Sequence, residues 1–197
     1  MSSLRPSAAP IPEPSKLAES FRYCPRCGRS HPDIRNERSL RCPHCGFLFF
    51  FNNAAASGAF VFHDGRLVLC VRAKNPGKGM LDVPGGFVEF DETVEDGLRR
   101  EIHEELNIQV SALHYLTSAP NDYVYAGVPY QTTDLFFVCE ADSLAGLKAA
   151  DDVADTVLMH PAEVDPSAFA FVSTRRAFGA LKDWLEPHRA LSPAPSA

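Results

Sequence analysis

One stretch of the chain carries the spacing of an amphipathic helix. Between Glu92 and Leu106 the apolar residues recur at every fourth position, as Val94, Leu98, Ile102 and Leu106. Residues at this spacing lie on one side of an α-helix and form a stripe that can be buried. Asp91 or Thr93 can cap the N-terminus by accepting a hydrogen bond from a free backbone N–H. The pattern predicts a helix over 92–106 with one face in the core.

Upstream of this helix, two apolar runs flank a turn signal. Ala59–Phe62 and Leu67–Val71 are separated by His63, Asp64, Gly65 and Arg66. Asp-Gly is favoured where a tight hairpin turn needs two residues with positive φ. The pattern therefore predicts a β-hairpin.

The remaining elements alternate between short strands and one closing helix. Apolar and β-branched runs predict strands at Leu81–Val83, Ile108–Ser111, Leu113–Leu116, Thr132–Cys139 and Asp155–Met159. A helix is predicted over Ser173–Leu185, with Ser173 as its cap and Phe178, Leu181 and Leu185 on its inner face. Strands interspersed with two helices indicate an α/β sandwich.

Composition divides the chain into four parts. The proline-rich segment 1–20 and the end 189–197 are expected to be disordered tails. A cysteine-bearing module is expected over 21–51, and a larger domain over 57–188. With 45% hydrophobic and 22% charged residues, the chain has the balance of a globular protein with an ordinary core.

The net charge and the lack of an evident export signal limit the partners and the compartment that we expect. A formal net charge of −6 disfavours non-specific binding to nucleic-acid phosphates, although a metal ion could still recruit a phosphate-bearing small molecule. No apolar run reaches the roughly eighteen residues that span a bilayer. No signal peptide is evident either. We therefore expect a cytoplasmic protein with no membrane association.

Four of the six cysteines form two Cys-x-x-Cys pairs. Cys24 and Cys27 are followed, after fourteen intervening residues, by Cys42 and Cys45. Four thiolates suit tetrahedral zinc and leave no open position for water, so the zinc is expected to be structural. Two disulfides or a redox dithiol are the rival interpretations. Six nearby arginines leave open a nucleic-acid role, but a packing or homodimerisation module is the favoured interpretation.

Three glutamates on the predicted helix form a second candidate metal site. Glu101, Glu104 and Glu105 are three and four residues apart, which places them on one helix face. Their like charges repel, and a hard divalent cation such as Mg²⁺ or Mn²⁺ would relieve the repulsion. An exposed acidic face is the alternative, but it leaves the preceding Pro84, Gly85 and Gly86 unexplained.

This array resembles the Nudix box. The box reads Gly, five residues, Glu, seven residues, Arg-Glu, an aliphatic residue, any residue, Glu-Glu, any residue, Gly and an aliphatic residue. Its positions are filled here by Gly86, Glu92, Arg100, Glu101, Ile102, Glu104, Glu105 and Ile108. A chance match of the specified polar and glycine positions is on the order of 10⁻⁷ per window. Asn107 stands in place of the second Gly, at a helix end where a left-handed residue is expected.

The resemblance implies a Nudix-type α/β/α sandwich behind an N-terminal zinc ribbon, and a magnesium- or manganese-dependent hydrolase. It implies that water attacks the diphosphate of a nucleotide derivative. Its metal ligands would be Glu101, Glu104 and Glu105, one of which positions or deprotonates the water. Arg100 would orient these carboxylates and Glu92 would support them. Gly85 and Gly86 would let the loop backbone approach the metal and the phosphate.

The substrate is less constrained. The arrangement of a zinc ribbon directly before a Nudix domain is similar to that of the NADH pyrophosphatases. Those enzymes carry the sequence Ser-Gln-Pro-Trp-Pro-Phe-Pro after the box. Here Ser118–Tyr125 lacks the Trp. Tyr123 and Tyr125 either stack on a base or belong to a strand. We expect ADP-ribose-like compounds, dinucleotides or nucleotide sugars ahead of NADH; an NADH pyrophosphatase proper and a non-catalytic nucleotide sensor are the alternatives. Four later acids are candidates for a further catalytic carboxylate: Asp134, Glu140, Asp151 and Asp152.

Overall fold

The computed structural model describes residues 17–30, 32–35, 38–125 and 127–188. The predicted tails fall largely outside these residues; within them, Leu17–Ser20 forms a short 3-10 turn with Ala18 buried. The chain forms two compact units. The first comprises the described residues up to Asn52 together with Val124–Tyr130, and the second comprises 53–123 and the described residues from 131 onwards.

The first unit contains a small antiparallel sheet. Its strands are β1 (Asp33–Arg35), β2 (Ser39–Arg41) and β3 (Leu48–Phe50), paired in that order. Leu40 on the central strand is fully buried. Ring contacts at 5.1–6.4 Å link a set of four aromatic residues, Phe21, Phe47, Phe49 and Phe51. This cluster supplies the apolar packing of a unit too small for a large core.

The second unit is built on a mixed sheet of seven strands, apart from the strand ends within 124–130 that belong to the first unit. They are β4 (Ala54–His63), β5 (Arg66–Arg72), β6 (Leu81–Asp82), β7 (Gly85–Phe87), β8 (His114–Tyr125), β9 (Val128–Glu140) and β10 (Val153–Met159). The strand order is β10-β5-β4-β9-β8, with β6 paired to β5 and β7 paired to β4. Strands β4 and β9 run parallel. The helices are α1 (Val94–Leu106) and α2 (Val172–His188).

Alternate residues of the central strands enter two separate cores. Val61 and Phe137 pack with the α1 stripe, whereas Phe60 and Phe136 pack with the inner face of α2. Because neighbouring residues of a strand point to opposite faces, the sheet lies between the two helices. The expected α/β/α sandwich is confirmed. Leu98, Ile102 and Leu106 are fully buried, each contributing about 1.5–3 kcal/mol of burial free energy.

The hairpin prediction is confirmed, and some boundaries are corrected. Asp64 and Gly65 have φ of 47° and 72°, as the tight turn requires. Ile108–Ser111 is not a strand; Val110 makes only an isolated bridge to Ala141. Ser173 is not a cap, because α2 begins at Val172 and the buried Ser173 hydroxyl has no hydrogen-bond partner. Among the described residues, no helix is long and apolar enough to cross a membrane.

Candidate active site and zinc site

Helix α1 sets the position of the three glutamates. Thr93, and not Asp91, caps it by accepting the backbone N–H of Asp96 at 3.1 Å. At the other end Asn107 adopts the left-handed conformation, with φ 54°, and donates its backbone N–H to His103. Its side-chain amide also donates to the carbonyl of Gly146 at 3.0 Å. Asn107 therefore ends the helix as the glycine of the box would, and the departure from the box leaves the helix intact.

Arg100 is the centre of the carboxylate network. Its guanidinium donates to both oxygens of Glu92, at 3.2 and 2.9 Å. It also donates to Glu101 at 2.8 Å, to Glu104 at 3.1 Å and to the carbonyl of Phe87 at 3.2 Å. A guanidinium has five N–H donors, and this arrangement uses all of them. Arg100 therefore ties three acidic side chains to the start of the loop after β7.

Glu92 is held as a carboxylate by this network. The pKa of Glu92 is lowered because Arg100 and the backbone N–H of Glu89 both donate to it. The pair with Arg100 is bidentate, which fixes the orientation of both planar groups. Glu92 precedes α1 and so links the loop to the helix.

Glu105 differs from the other two box glutamates. It is only 7% exposed, and its carboxylate accepts the backbone N–H of Gly85 at 3.0 Å. Burial, together with the nearby charge of Glu101, raises the pKa of Glu105 to about 8. Burial also raises the pKa of Glu101, against the lowering effect of Arg100, while the side chain of Glu104 is 49% exposed.

The two glycines before the helix allow close approach. Gly85 has φ of 150°, and a Cβ there would lie 2.1 Å from the carbonyl oxygen of Ser57 on β4. A Cβ on Gly86 would lie 2.5 Å from the carboxyl group of Glu101. A side chain at Gly85 would push β7 away from β4, whereas one at Gly86 would displace the carboxyl group of Glu101. The glycines therefore let the backbone of β7, predicted as a loop, lie against the acidic face.

The acidic face has the donor set of a hard divalent cation. It offers carboxylate oxygens alone, and one of these carboxylates is buried and destabilised by its neighbours. A bound cation would relieve that cost, since opposite charge favours the ionised form. In the described part of the chain, however, only the cysteines bring three or more ligand atoms within 4.8 Å of one another. The three glutamate carboxylates do not all come within that distance of one another.

We expect Arg100→Lys to lower the free energy of unfolding by about 2–3 kcal/mol. A lysine ammonium cannot reproduce the bidentate contact with Glu92 and the bond to Phe87 at the same time. Denaturant unfolding measures the change. Arg99→Lys is the matched control, because Arg99 makes a single described bond, to the carbonyl of Val110 at 2.8 Å. Equal stability of the Arg100→Lys variant and the wild type would contradict the network.

Two of the four downstream acids lie near this face. The charge of Asp151 raises the pKa of Glu101, and the charge of Asp152 raises that of Glu105. Their loop is tied to the end of α1, because the backbone N–H of Ala150 donates to the carbonyl of Glu105. Lys74 pairs with both aspartates. By contrast, Asp134 on β9 accepts the hydroxyl of its strand neighbour Thr132.

An aromatic group adjoins the glycine loop. The ring of Tyr123 on β8 lies 5.7 Å from the rings of both Phe87 and Phe171. The guanidinium of Arg72 lies 4.6 Å from the centre of the Phe171 ring and pairs with buried Asp82 at 3.0 Å. Sequence reasoning singled out Tyr123 but missed Phe87, although Phe87 directly follows Gly86, and no local signal marks Phe171. Tyr125, two residues further along β8, is 58% exposed.

The four cysteines of the first unit meet at one point. Their sulfurs all lie within 4.8 Å of one another, with Cys24–Cys45 and Cys27–Cys42 separations of 3.7 Å. A tetrahedral zinc with Zn–S bonds of about 2.3 Å places its sulfurs about 3.8 Å apart, so the site fits zinc. Backbone N–H groups of Cys45 and His44 lower the pKa of Cys42 to about 6, which favours the thiolate that zinc needs. All six cysteines are free of disulfides.

Comparison with known families assigns both units. Residues 52–181 match the NUDIX domain. The chain belongs to the Nudix family. Residues 19–50 match the NADH pyrophosphatase zinc ribbon domain, which agrees with the four-cysteine site. The predicted Nudix membership and zinc ribbon are therefore confirmed.

Individual relatives agree with this assignment. The chain is 31% identical to the NAD-capped RNA hydrolase NudC of Vibrio parahaemolyticus over 104 residues, covering 53% of this chain and 40% of the relative. It is 34% identical to NudC of Yersinia enterocolitica over 108 residues, covering 53% of this chain and 41% of the relative. The aligned part thus spans about two fifths of the length of these relatives.

Solved structures share the fold. A NUDIX hydrolase from Nitrosomonas europaea superposes with a TM-score of 0.69 at 23% identity, covering 88% of this chain and 96% of that one. The NUDIX domain of Shewanella oneidensis NrtR, solved in complex with ADP ribose, has a TM-score of 0.57 at 20% identity and covers 69% of this chain and 90% of that one. At these identities the similarity establishes the fold.

Proposed function

We propose that this Nudix protein hydrolyses the diphosphate linkage of a nucleoside diphosphate derivative, with Mg²⁺ or Mn²⁺ as its cofactor. The observation that carries the proposal is the acidic face of α1. Three box glutamates are present there, Arg100 pairs with two of them, and the third lies buried against the Gly85 backbone. A merely solvated acidic surface would not bury Glu105 or use every donor of Arg100.

The chain's residues have separate tasks in this proposal. Glu101, Glu104 and Glu105 hold the cation, while Arg100 and Glu92 fix the orientation of the carboxylates. When bound, the cation stabilises charge on the phosphate oxygens and lowers the pKa of a bound water. Gly86, with no side chain, lets the diphosphate approach the carboxylates. We propose Asp151 and Asp152, whose charges act on Glu101 and Glu105, as the candidates for a further catalytic carboxylate.

The aromatic group supports a nucleotide as substrate. Tyr123, with Phe87 and Phe171 at 5.7 Å, forms an apolar wall that suits one face of a base. Phe87 follows Gly86 directly, so this wall adjoins the glycine loop that contacts Glu101. We propose Tyr123 ahead of Tyr125 as the base-stacking residue. The missing Trp after the box favours ADP-ribose-like compounds or dinucleotides over NADH.

The curated relatives favour one particular dinucleotide. They are NAD-capped RNA hydrolases, so a second candidate substrate is a dinucleotide at the 5′ end of an RNA. The same carboxylates would cleave it, because the bond broken is again a diphosphate. The non-catalytic sensor is the weaker alternative, since none of the three box glutamates is replaced.

A panel of substrates tests this proposal. We expect turnover with Mg²⁺ or Mn²⁺ of ADP-ribose, diadenosine polyphosphates or nucleotide sugars, with a kcat/KM above that for NADH. Omitting the divalent cation is the control. If NADH were preferred by tenfold, about 1.4 kcal/mol of transition-state stabilisation, our interpretation of the missing Trp would be wrong. If the whole panel stayed intact, the sensor would replace the enzyme.

The setting in the cell is also a proposal. The four-thiol zinc site and two further free thiols suit a reducing compartment, and we infer the cytoplasm. Homodimerisation through the ribbon stays a prediction, which light scattering on the purified protein tests.

A further inference from the structure

The two most exposed apolar side chains of the zinc-ribbon sheet lie on the same face. Leu48 is 49% exposed and Phe50 is 58% exposed, both on β3. Register pairs Arg41 with Leu48 and Ser39 with Phe50. Directly paired residues share a face, and alternate residues of a strand share it too. Leu48, Phe50, Ser39 and Arg41 therefore form one face, which we name the ribbon platform, and Asp33 on β1 lies on the same face beside Arg41.

The other face of the same sheet is already used. Leu40 pairs with Phe49 and is fully buried, and Phe49 belongs to the ring cluster of this unit. The two faces differ in degree of exposure, since Phe49 and Ile34 on the Leu40 face are 40% and 37% exposed, less than Leu48 and Phe50. One packs the small core, and the other presents a phenylalanine and a leucine to solvent beside an arginine.

The ribbon is basic although the chain is acidic. Between residues 21 and 51 there are six arginines and two acidic residues, against a net charge of −6 for the whole chain. A zinc ion with four thiolates would subtract two charges and leave the unit positive. Five of these arginines have exposed side chains: Arg22, Arg26, Arg29, Arg38 and Arg41. Asp33 is the acidic residue paired in register with Arg41 on β1.

We propose that the ribbon platform binds single-stranded RNA. Exposed aromatic rings on which bases stack, surrounded by cations that follow the phosphates, are what sequence-tolerant single-strand binding requires. Phe50 supplies the ring, Leu48 extends the apolar surface, and Arg41 with the other exposed arginines supplies the charge. The choice of RNA rests on the RNA-linked dinucleotide of the proposed function.

A second copy of the chain fits this face less well. In a two-fold dimer the same patch meets itself, so the five exposed arginines would face their own copies, with Asp33 as the described acidic residue that can pair with them. Repulsion between like charges opposes such a contact, whereas a polyanion is attracted by it. The net charge of the whole chain predicts no nucleic-acid partner, whereas the local positive charge of the ribbon predicts one for this unit.

Fluorescence anisotropy with an uncapped, 5′-hydroxyl single-stranded RNA of twelve nucleotides tests the platform on the full, zinc-loaded chain. Phe50→Ala is expected to weaken RNA binding about tenfold. Phe50→Tyr, which keeps an aromatic ring, is expected to bind RNA as tightly as the wild type does. Arg41→Ala should reduce the slope of log affinity against log salt by about one. Tyr115→Ala and Arg66→Ala are matched controls, since both residues are exposed in the other unit, and both variants should bind as the wild type does.

Several results would overturn the proposal. The first is that a Phe50→Ala variant that retains zinc binds RNA with unchanged affinity. The second is that Phe50→Tyr binds as weakly as Phe50→Ala. The third is that duplex RNA, whose bases are stacked, binds as tightly as single-stranded RNA. A dimer in light scattering that Phe50→Ala dissociates would assign the face to a second copy. Because the probe RNA carries no diphosphate, its binding is independent of whether any substrate in the hydrolysis panel is cleaved.

Discussion

Replacing Glu105 by glutamine is expected to lower kcat by a hundredfold or more, on the order of 3 kcal/mol in the activation barrier. Glutamine keeps the shape of the side chain and can still accept the N–H of Gly85. It removes the negative charge that the cation requires. Burial raises the pKa of Glu105 to about 8, so the ionised carboxylate destabilises the fold when no metal is bound. We therefore expect the melting temperature of the variant to be unchanged or higher in metal-free buffer.

Steady-state kinetics on the best substrate of the panel measures this effect. Glu95→Gln is the matched control, because Glu95 is exposed on the same helix and lies outside the network of Arg100. It should keep wild-type kcat. Near-normal turnover by a folded double variant, Glu104→Gln with Glu105→Gln, would refute the carboxylate mechanism.

Replacing Cys42 by alanine is expected to remove the zinc and unfold the ribbon. Zinc binding by such small four-ligand modules contributes about 10–16 kcal/mol, and it is largely the folding free energy of the module. The first unit has little apolar burial to replace the zinc. Among its described residues, Leu40 is the one large apolar side chain that is fully buried. Elemental analysis should show about one zinc per wild-type chain, resistant to mild chelation, and almost none in the variant.

Cys139→Ala serves as the control for this loss. Cys139 is a buried cysteine of β9 outside the four-sulfur cluster, so its replacement should leave the zinc content unchanged. Full zinc occupancy in Cys42→Ala would contradict the assigned ligand set. A Cys24–Cys27 disulfide in freshly reduced protein would favour the redox alternative.

Local sequence patterns were sufficient to predict much of the fold. The stripe of Leu98, Ile102 and Leu106 predicted α1 because burial of one helix face leaves a fixed spacing in the sequence. Asp64-Gly65 predicted the hairpin for an equally local reason, the need for positive φ. The resemblance to the Nudix box identified the glutamates and Arg100 because their spacing follows from a single helix and the loop before it.

Long-range contacts escaped the sequence analysis. Phe171 meets Tyr123 only because the start of α2 packs near β8, and Asp82 pairs with Arg72 only because β6 lies beside β5. Ser173 has the chemistry of a cap but is buried one residue inside the helix. The proximity of Asp151 and Asp152 to the box depends on a loop bonded to the end of α1.

The central claim is that water attacks phosphorus in a diphosphate. The direct test is to incubate the protein with ADP-ribose and Mg²⁺ in ¹⁸O-labelled water and analyse the products by mass spectrometry. We predict AMP and ribose 5-phosphate, with one ¹⁸O atom in the phosphate of one of them for each bond cleaved. Products without ¹⁸O on phosphate, or no cleavage of any compound in the panel, would contradict it.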